Sequence, residues 1–285
     1  MDDGSLRTSF REGPYEIHNS ELFRKTLVEA HVERDARASP ANGKGAGALF
    51  IFFDDRPSDS PFVERVWRCH SERGGSFHSM AASHWEMVVT RLEGKTSLTV
   101  RGPETKATTA DCPAEGDWFA IRFKLGTFMP LTKFAPGDLR DLNAVTLPDA
   151  SSRSFWLNGK AWEYPNFENA ETFVKRLHSA GLLAVDDTVR AVLSGQAPEQ
   201  TLRTAQRRFL KATGVTCNTI HQIERARRAT NLLKQGSSIL DAVHDAGYYD
   251  QAHLTRSLKH FIGQTPAEII RAEQQLSFLY NTDPT

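Results

Sequence analysis

Side chains that can hydrogen-bond to DNA bases occur in two clusters in the last third of the chain. An arginine can bond bidentately to guanine and a glutamine to adenine, and both contacts distinguish one base pair from another. The residues that we predict to contact bases are Arg203, Gln206, Arg207, Gln251, His253 and Arg256. A single basic helix face is commonly no more than solvated, so the prediction depends on the elements that hold these side chains.

A second group of polar side chains on the same predicted helices is better placed for the DNA backbone. Phosphate contacts fix the position of a protein on the duplex without distinguishing sequences. The residues that we predict to contact phosphates are Thr204, Arg208, Lys211, Thr255 and Lys259.

The later cluster lies in residues 238–266, which predict two short helices joined by a turn at Gly247. Asp250 is a suitable N-cap for the second helix, because its carboxylate can accept from free backbone N–H groups. No acidic residue follows Asp250 until Glu268. The residues with the spacing of one buried stripe are Leu254, Leu258, Phe261 and Ile262. Two helices with a glycine turn, the second basic outside, indicate a helix-turn-helix whose second helix enters the major groove.

The earlier cluster lies on a predicted helix from Thr201 to Gly214, with a buried stripe of Leu202, Ala205, Phe209 and Ala212. Two further helices are predicted before it. One begins near Phe167 and ends at Gly181, and the other covers 188–194 with Asp186 or Asp187 as its cap.

A linker helix is predicted over 219–234, with Glu224 and Arg228 as an i, i+4 ion pair. The residues predicted to face one way are Ile220, Ile223, Thr230 and Leu233. A helix of about 15 residues spans roughly 22 Å. With its flanking helices it can hold two recognition helices roughly 34 Å apart, which is one turn of DNA.

These motifs resemble a known family. Gly247–Pro266 is similar to the second helix-turn-helix of AraC/XylS-type transcription regulators, with Leu258 where that family usually has phenylalanine. Thr201–Gly214 is similar to the first unit, with Thr201 in place of serine and Ala205 in place of a larger apolar residue. The resemblance covers about residues 168–271. It implies a homodimer that binds double-stranded promoter DNA, contacts RNA polymerase and responds to a small-molecule effector.

The N-terminal half predicts mostly β-structure after an initial helix over 20–36. The predicted strands are Ala48–Phe53, Val63–His70, Trp85–Leu92, Ser97–Arg101 and Trp118–Leu125, with a hairpin turn at Glu93–Lys95. Residues 126–165, rich in proline and aromatic residues, are predicted to be irregular. Pro113–Trp118 is similar to a turn of cupin-like barrels, the usual sensor fold of the AraC/XylS family.

The predicted fold class is therefore α+β in two domains. A cupin-like barrel domain for sensing and dimerisation spans 1–165, and an all-α DNA-binding domain spans 166–285. Within the second domain, the two units cover about 168–214 and 236–271, with the linker helix between them.

Aromatic residues suggest walls for an effector pocket in the barrel. The predicted effector-binding residues are Trp67, Trp85, Trp118 and Arg122, although the tryptophans fit a core equally well. His70, His78, His84 and Glu86 raise the question of a metal, but the cupin His-x-His pair is missing, so we predict no metal and no cofactor. Cys112 is either a reactive thiol or, more commonly, a small buried hydrophobe.

Composition indicates an ordinary globular protein of 285 residues with a formal net charge of zero. Residues 198–285 hold 11 Lys and Arg against 8 Asp and Glu, whereas residues 1–150 hold 19 against 22. No stretch is apolar enough for a membrane span, the N-terminus is too polar for a signal peptide, and three scattered cysteines favour a reduced, cytoplasmic protein.

The predicted function is a transcription regulator that is not an enzyme. Three alternatives to it stay open. The chain could be a metal-dependent cupin-type enzyme that carries a DNA-binding module. It could be a DNA-repair protein of the alkyl-transfer kind, although the scattered cysteines do not supply the required motif. It could also be an adaptor whose β domain only dimerises.

Overall fold

The computed structural model describes residues 17–19, 51–141, 143–196 and 201–271. The helix predicted over 20–36 lies outside these residues, as does most of the connection around Pro198. Within them the chain is β-rich up to Glu163 and mainly helical from Ala170, which confirms the predicted α+β class.

Seven antiparallel strands form the largest sheet, in the order β1-β10-β6-β5-β8-β3-β2. Their bounds are β1 Ile17–Asn19, β2 Ile51–Pro57, β3 Val63–Ser71, β5 Glu86–Leu92, β6 Lys95–Arg101, β8 Gly116–Phe123 and β10 Asn143–Leu147. The five strands predicted from sequence correspond to β2, β3, β5, β6 and β8, with shifts of a few residues at their ends.

The predicted hairpin turn is confirmed at Glu93 and Gly94, which join β5 to β6. Their φ angles of 50° and 76° are both positive, as a type I′ turn requires, and Leu92 pairs with Lys95. A two-residue turn of this kind fixes the register, so Glu86 lies opposite Arg101 at the far end of the hairpin.

The core of the β-rich part lies on one face of this sheet. Phe119, Ile121 and Phe123 alternate along β8 with residues on the other face, and all three are buried with Phe155 and Leu177. The other face carries Ala120 and Arg122, which are also buried.

Two predictions for this region are wrong. The described strands form an open sheet and three smaller sheets rather than a closed barrel, because β4 (Gly75–Ser79) and β7 (Thr108–Cys112) pair with each other and leave the large sheet unclosed. The segment predicted to be irregular contains strands. Their bounds are β9 Thr127–Phe128, β10, β11 Asp149–Ser151, β12 Ser154–Leu157 and β13 Lys160–Glu163, with β11, β12 and β13 in one three-stranded sheet.

Seven helices are described in the rest of the chain. Their bounds are α1 Ala170–Ser179, α2 Asp187–Leu193, α3 Leu202–Thr213, α4 Cys217–Lys234, α5 Ile239–Asp245, α6 Gln251–Phe261 and α7 Pro266–Arg271. A two-residue strand, β14 Ala184–Val185, pairs with β9, and a short 3-10 helix spans Pro136–Leu139. None of the described helices is long and apolar enough to cross a membrane.

The apolar stripes of these helices agree with the predictions except at Leu202 and at Ala212, which is only partly buried. The predicted stripe residues of α4 and α6 are buried, and so are Ala205 and Phe209 of α3. Leu202 was predicted to be buried but is 68% exposed, because it occupies the first turn of α3 beyond the reach of the core. Glu224 pairs with Arg227 rather than with the predicted Arg228.

Candidate nucleic-acid interface

Helix α6 begins where the sequence predicted, at a capped turn after Gly247. The Asp250 carboxylate accepts a hydrogen bond from the His253 backbone N–H over 2.6 Å. Gly247 has a φ of +73°, which glycine adopts without steric cost. The start of the predicted recognition helix is therefore fixed by local chemistry.

The outer face of α6 carries most of the side chains that were predicted to contact DNA. Gln251, Arg256 and Lys259 are exposed, and the buried stripe lies on the opposite side. His253 is half-buried, with its ring edge-to-face against Tyr248 at 5.1 Å between centroids. The Thr255 hydroxyl donates to the Gln251 carbonyl over 2.8 Å, so it bonds within its own helix.

Helix α3 presents a similar surface from the first unit. Arg203, Gln206, Arg207 and Lys211 are all exposed. The start of the helix is capped by Thr201, whose hydroxyl oxygen accepts from the Thr204 backbone N–H at 3.4 Å. Gly214 ends the helix in the left-handed conformation, with a φ of +77°.

Arg208, a predicted phosphate contact, has a partner within the protein. Its Nε donates to Asp186 Oδ2 over 2.9 Å, and Asp186 also accepts from the backbone N–H groups of Thr188 and Val189. Asp186 is thus the cap that the sequence predicted for α2, and it joins α2 to α3.

The linker helix α4 holds the turn of the second unit with a residue that sequence reasoning missed. The Arg225 guanidinium lies over the Tyr248 ring, 4.6 Å from its centroid. Tyr248 is buried, and its hydroxyl is 2.9 Å from that of Ser257 on α6. Burial raises the pKa of Tyr248 above its ordinary value. The aromatic position after Gly247 was visible in the sequence, but nothing there indicated its cationic partner.

A second missed residue is Tyr249, which is 91% exposed directly before the Asp250 cap. It lies two residues before Gln251, the first residue of α6. One feature of the sequence could have identified Tyr249. It is an aromatic residue at a turn position, and it has no apolar partner at helical spacing.

Comparison with known proteins supports this geometry for part of the chain. A family model described as a helix-turn-helix domain matches residues 199–272, and no curated protein matched the chain. This part of the chain is similar to helix-turn-helix domains of the AraC type. A solved structure of ToxT from Vibrio cholerae is 10% identical and covers 78% of this chain and 99% of that chain, with a TM-score of 0.29. A TM-score this low does not establish a common fold.

This helix-turn-helix domain supports the assignment of a DNA-binding transcription regulator. It contains α3, the linker α4, and the second unit formed by α5 and α6. Both surfaces predicted to contact DNA therefore lie on its helices, and the remaining predicted site residues lie in the β-rich part.

Two of the four residues predicted to bind an effector, Trp67 and Arg122, meet at a buried carboxylate. Arg122 Nε donates to Glu86 Oε1 over 2.7 Å, and Trp67 Nε1 donates to the same oxygen over 3.2 Å. Burial alone raises the pKa of Glu86, but Arg122 and Arg101 outweigh it and lower that pKa overall. The pair is ionised and satisfied within the protein.

The other two predicted effector residues lie apart from this pair. Trp85 stacks on Phe123 at 3.9 Å, and its indole N–H donates to the Thr127 carbonyl over 2.6 Å, so it is part of the core. Trp118 lines a cavity of about 420 Å³ together with Arg68, Arg91 and Phe167. The four residues do not form one pocket.

The histidines considered as metal ligands are engaged separately. His84 Nε2 is 2.7 Å from Glu64 Oε2, and His70 Nδ1 is 3.0 Å from Asp117 Oδ1. Among the described residues, no group of three His, Cys, Asp or Glu side chains converges as a metal site requires. Cys112 is 6% exposed, and burial raises the pKa of its thiol to about 11, which favours the buried-hydrophobe alternative over a reactive thiol.

Proposed function

We propose that this regulator recognises a specific operator by placing α3 and α6 in two successive segments of the major groove. The observation that carries the proposal is the pair of capped helices, each with an exposed basic face, at the two ends of one linker helix. The 18 residues of α4 span about 27 Å, which suits units one DNA turn apart.

The first two turns of each helix supply the base contacts in this proposal. Recognition helices of this class contact bases mainly through their N-terminal residues. The assigned base contacts are Arg203, Gln206 and Arg207 on α3, and Gln251, His253 and Arg256 on α6. His253 contributes from the flank of its helix, since Tyr248 holds its ring.

Backbone contacts come from the remaining side chains. They are Thr204, Arg208, Lys211, Thr255 and Lys259, to which Tyr249 is added because of its exposure beside the α6 cap. Arg208 bonds Asp186 through Nε, which leaves its terminal nitrogens able to bond a phosphate. Such contacts give affinity that falls with salt.

The β-rich part is the sensor and dimerisation domain in this proposal, and a small molecule bound there shifts the DNA-binding population. Trp118 lines the cavity of about 420 Å³, which supports it as a pocket residue. The regulator acts in the cytoplasm as a homodimer and contacts RNA polymerase at its promoter. DNA affinity that stays constant across a broad metabolite screen would instead favour an adaptor whose β domain only dimerises.

The boundary between the two domains belongs after α1 rather than at residue 165. Phe173 and Leu177 of α1 are buried in the same cluster as Phe155, and the Phe155 and Phe173 rings are 6.3 Å apart. Val189 of α2 packs instead with Phe209 of α3. These contacts support Asp186 as the start of the DNA-binding domain.

Fluorescence anisotropy tests the proposal with the full chain. The probes are the DNA upstream of the chain's own coding sequence and a shuffled duplex of the same composition, each at two salt concentrations. We expect sequence-dependent binding that Arg256→Ala weakens by about 1–3 kcal/mol on the preferred DNA. Lys95→Ala removes an exposed charge from the β5–β6 hairpin and serves as the control. Equal weakening of preferred and shuffled DNA by Arg256→Ala would contradict its assignment to a base.

A further inference from the structure

Two backbone carbonyls at the C-terminal end of α6 accept hydrogen bonds from the β-rich part. Ala107 N–H donates to the His260 carbonyl, and Ala81 N–H donates to the Phe261 carbonyl, both over 2.8 Å. The last carbonyls of a helix have no partner within the helix. Here another part of the chain supplies those partners, so the end of α6 is held by directional bonds.

Apolar packing reinforces this contact. Met80 and Ala81 are each 1% exposed and belong to the same buried cluster as Leu254 and Leu258 of α6. Arg227 on the linker helix donates through Nη2 to the Ala81 carbonyl over 3.0 Å. The segment after β4 therefore completes the core of the second helix-turn-helix unit.

The end of α3 meets the β-rich part at a second point. A Cβ placed on Gly137 would lie 2.8 Å from the Lys211 carbonyl oxygen, and one placed on Gly214 would lie 2.8 Å from Pro103. Backbones approach this closely only where both positions lack a side chain. The 3-10 helix and Pro103 thus contact the last turn of α3 and its cap.

Both contacts converge on the residues between β6 and β7, Gly102–Ala107, which we call the β6–β7 loop. Glu104 exchanges two backbone hydrogen bonds of 2.8 Å with Ala82, which ties the loop to the segment under α6. Asp141 donates its N–H to the Pro103 carbonyl and accepts from Thr105, which ties the loop to the turn after the 3-10 helix.

The loop is short, and this limits how far apart its two contacts can lie. Pro103 touches the cap of α3, and Ala107 bonds the end of α6. Three residues lie between them, so four steps of chain limit the distance between their Cα atoms to roughly 14 Å. The contacts lie at the C-terminal ends of both helices, whereas Arg203 and Gln251 occupy the first turns.

We infer that the β6–β7 loop fixes the position of α3 relative to α6, so that the β-rich domain determines which spacing between the two DNA segments the regulator accepts. The inference rests on the proposed function, since it needs both helices on one DNA. The linker helix alone connects the units at one side, and the loop supplies the second connection that makes their separation rigid.

Operators of altered spacing test this inference with the full chain. A duplex selected by the wild type from a random library is remade with one, two or five base pairs inserted between its two contacted segments. We expect the wild type to lose at least tenfold in affinity on a one-pair insertion. Ala107→Pro removes the N–H that bonds His260, and we expect it to bind native and inserted duplexes within about threefold of each other.

The matched control is Lys106→Pro, because the Lys106 N–H makes no hydrogen bond in the part of the chain that the structure describes. Gly137→Ala tests the α3 contact independently and should also flatten the spacing profile. The inference would be overturned if Ala107→Pro and Gly137→Ala both kept the wild-type dependence of affinity on spacing. A uniform rise in affinity at every spacing would also overturn it, because the contact would then be inhibitory.

Amide hydrogen exchange keeps the inference testable if a variant fails to fold. In the unbound wild type, the Ala81 and Ala107 amides should exchange much more slowly than those of the Glu93–Lys95 turn. Equal exchange would show that the docking is absent in solution. Failure of the wild type to prefer any DNA sequence would sink the proposed function itself, and the exchange result would still stand separately.

Discussion

Arg208 Nε and Asp186 Oδ2 lie 2.9 Å apart, which joins helix α3 to the first turn of α2. The same carboxylate accepts from two backbone N–H groups of α2. Asp186 is 8% exposed, whereas the side chain of Arg208 is about half exposed. Asp186 therefore contributes to holding α3 against α2.

Replacing Asp186 should destabilise the first unit. Asp186→Ala removes the cap, and we expect the free energy of unfolding in urea to fall by about 1–2 kcal/mol. Asp186→Asn keeps an oxygen that can accept from Thr188 and Val189 but loses the ion pair, so it should lose less. Equal losses in the two variants would show that the ion pair, not the cap, carries the stabilisation.

Stability should also depend on pH through Glu171 in the first turn of α1. Arg56 donates two hydrogen bonds to this carboxylate, and these bonds lower the pKa of Glu171 from 4.5 to about 2. Because the pKa of Glu171 is lower in the folded protein than in the unfolded chain, the ionised carboxylate stabilises the fold above pH 4.5. This stabilisation is lost as the pH falls towards 2. Because the pair is about one-third exposed, its contribution at neutral pH is about 0.5–1 kcal/mol.

The measurement compares wild type with Glu171→Gln by urea unfolding from pH 7 to pH 2. The difference in unfolding free energy should be constant above about pH 5.5 and vanish near pH 2. Glu168→Gln removes a carboxylate that is 70% exposed and should show little difference at any pH. A difference that grew on acidification would contradict the assigned direction.

The helices were predictable because each is defined by local chemistry. Thr201, Asp250 and Gly214 specify where α3 and α6 begin or end, and hydrogen bonds and φ angles confirm all three. Leu202 misled the prediction, since spacing alone does not show that the first turn of a helix lies beyond the core. The strands within 126–165 were missed because they are short and interrupted by turns such as Asn158-Gly159.

The contact between the two parts of the chain had no signal in the sequence. Met80 and Ala81 are ordinary apolar residues between two strands, and their burial depends on helices that follow 140 residues later. Glu86 was considered as a metal ligand, yet its partner Arg122 was assigned to an effector. Pairing across a sheet depends on strand order, which the pattern of single strands does not specify.

Phosphate contacts should be distinguishable from base contacts by salt. Lys211→Ala and Lys259→Ala each remove one exposed cation, and we expect each to lower the slope of log K against log salt by about 1. Both variants should weaken specific and shuffled DNA to a similar extent. A sequence-dependent loss from either lysine would reassign that residue to a base.

Comparing alanine substitutions at two glycines separates the stabilisation due to the contact at the end of α3 from that due to helix capping. Gly214 and Gly236 both have positive φ angles, of 77° and 93°, so alanine at either position should cost about 1–2 kcal/mol in unfolding free energy. Only Gly214 also faces backbone and Pro103 within 3 Å of an added Cβ, whereas Gly236 faces open space. Gly214→Ala should therefore cost measurably more than Gly236→Ala in urea unfolding of the full chain. Equal costs would indicate that the β-rich domain does not press against α3 in solution, because the shared left-handed conformation would then explain both losses.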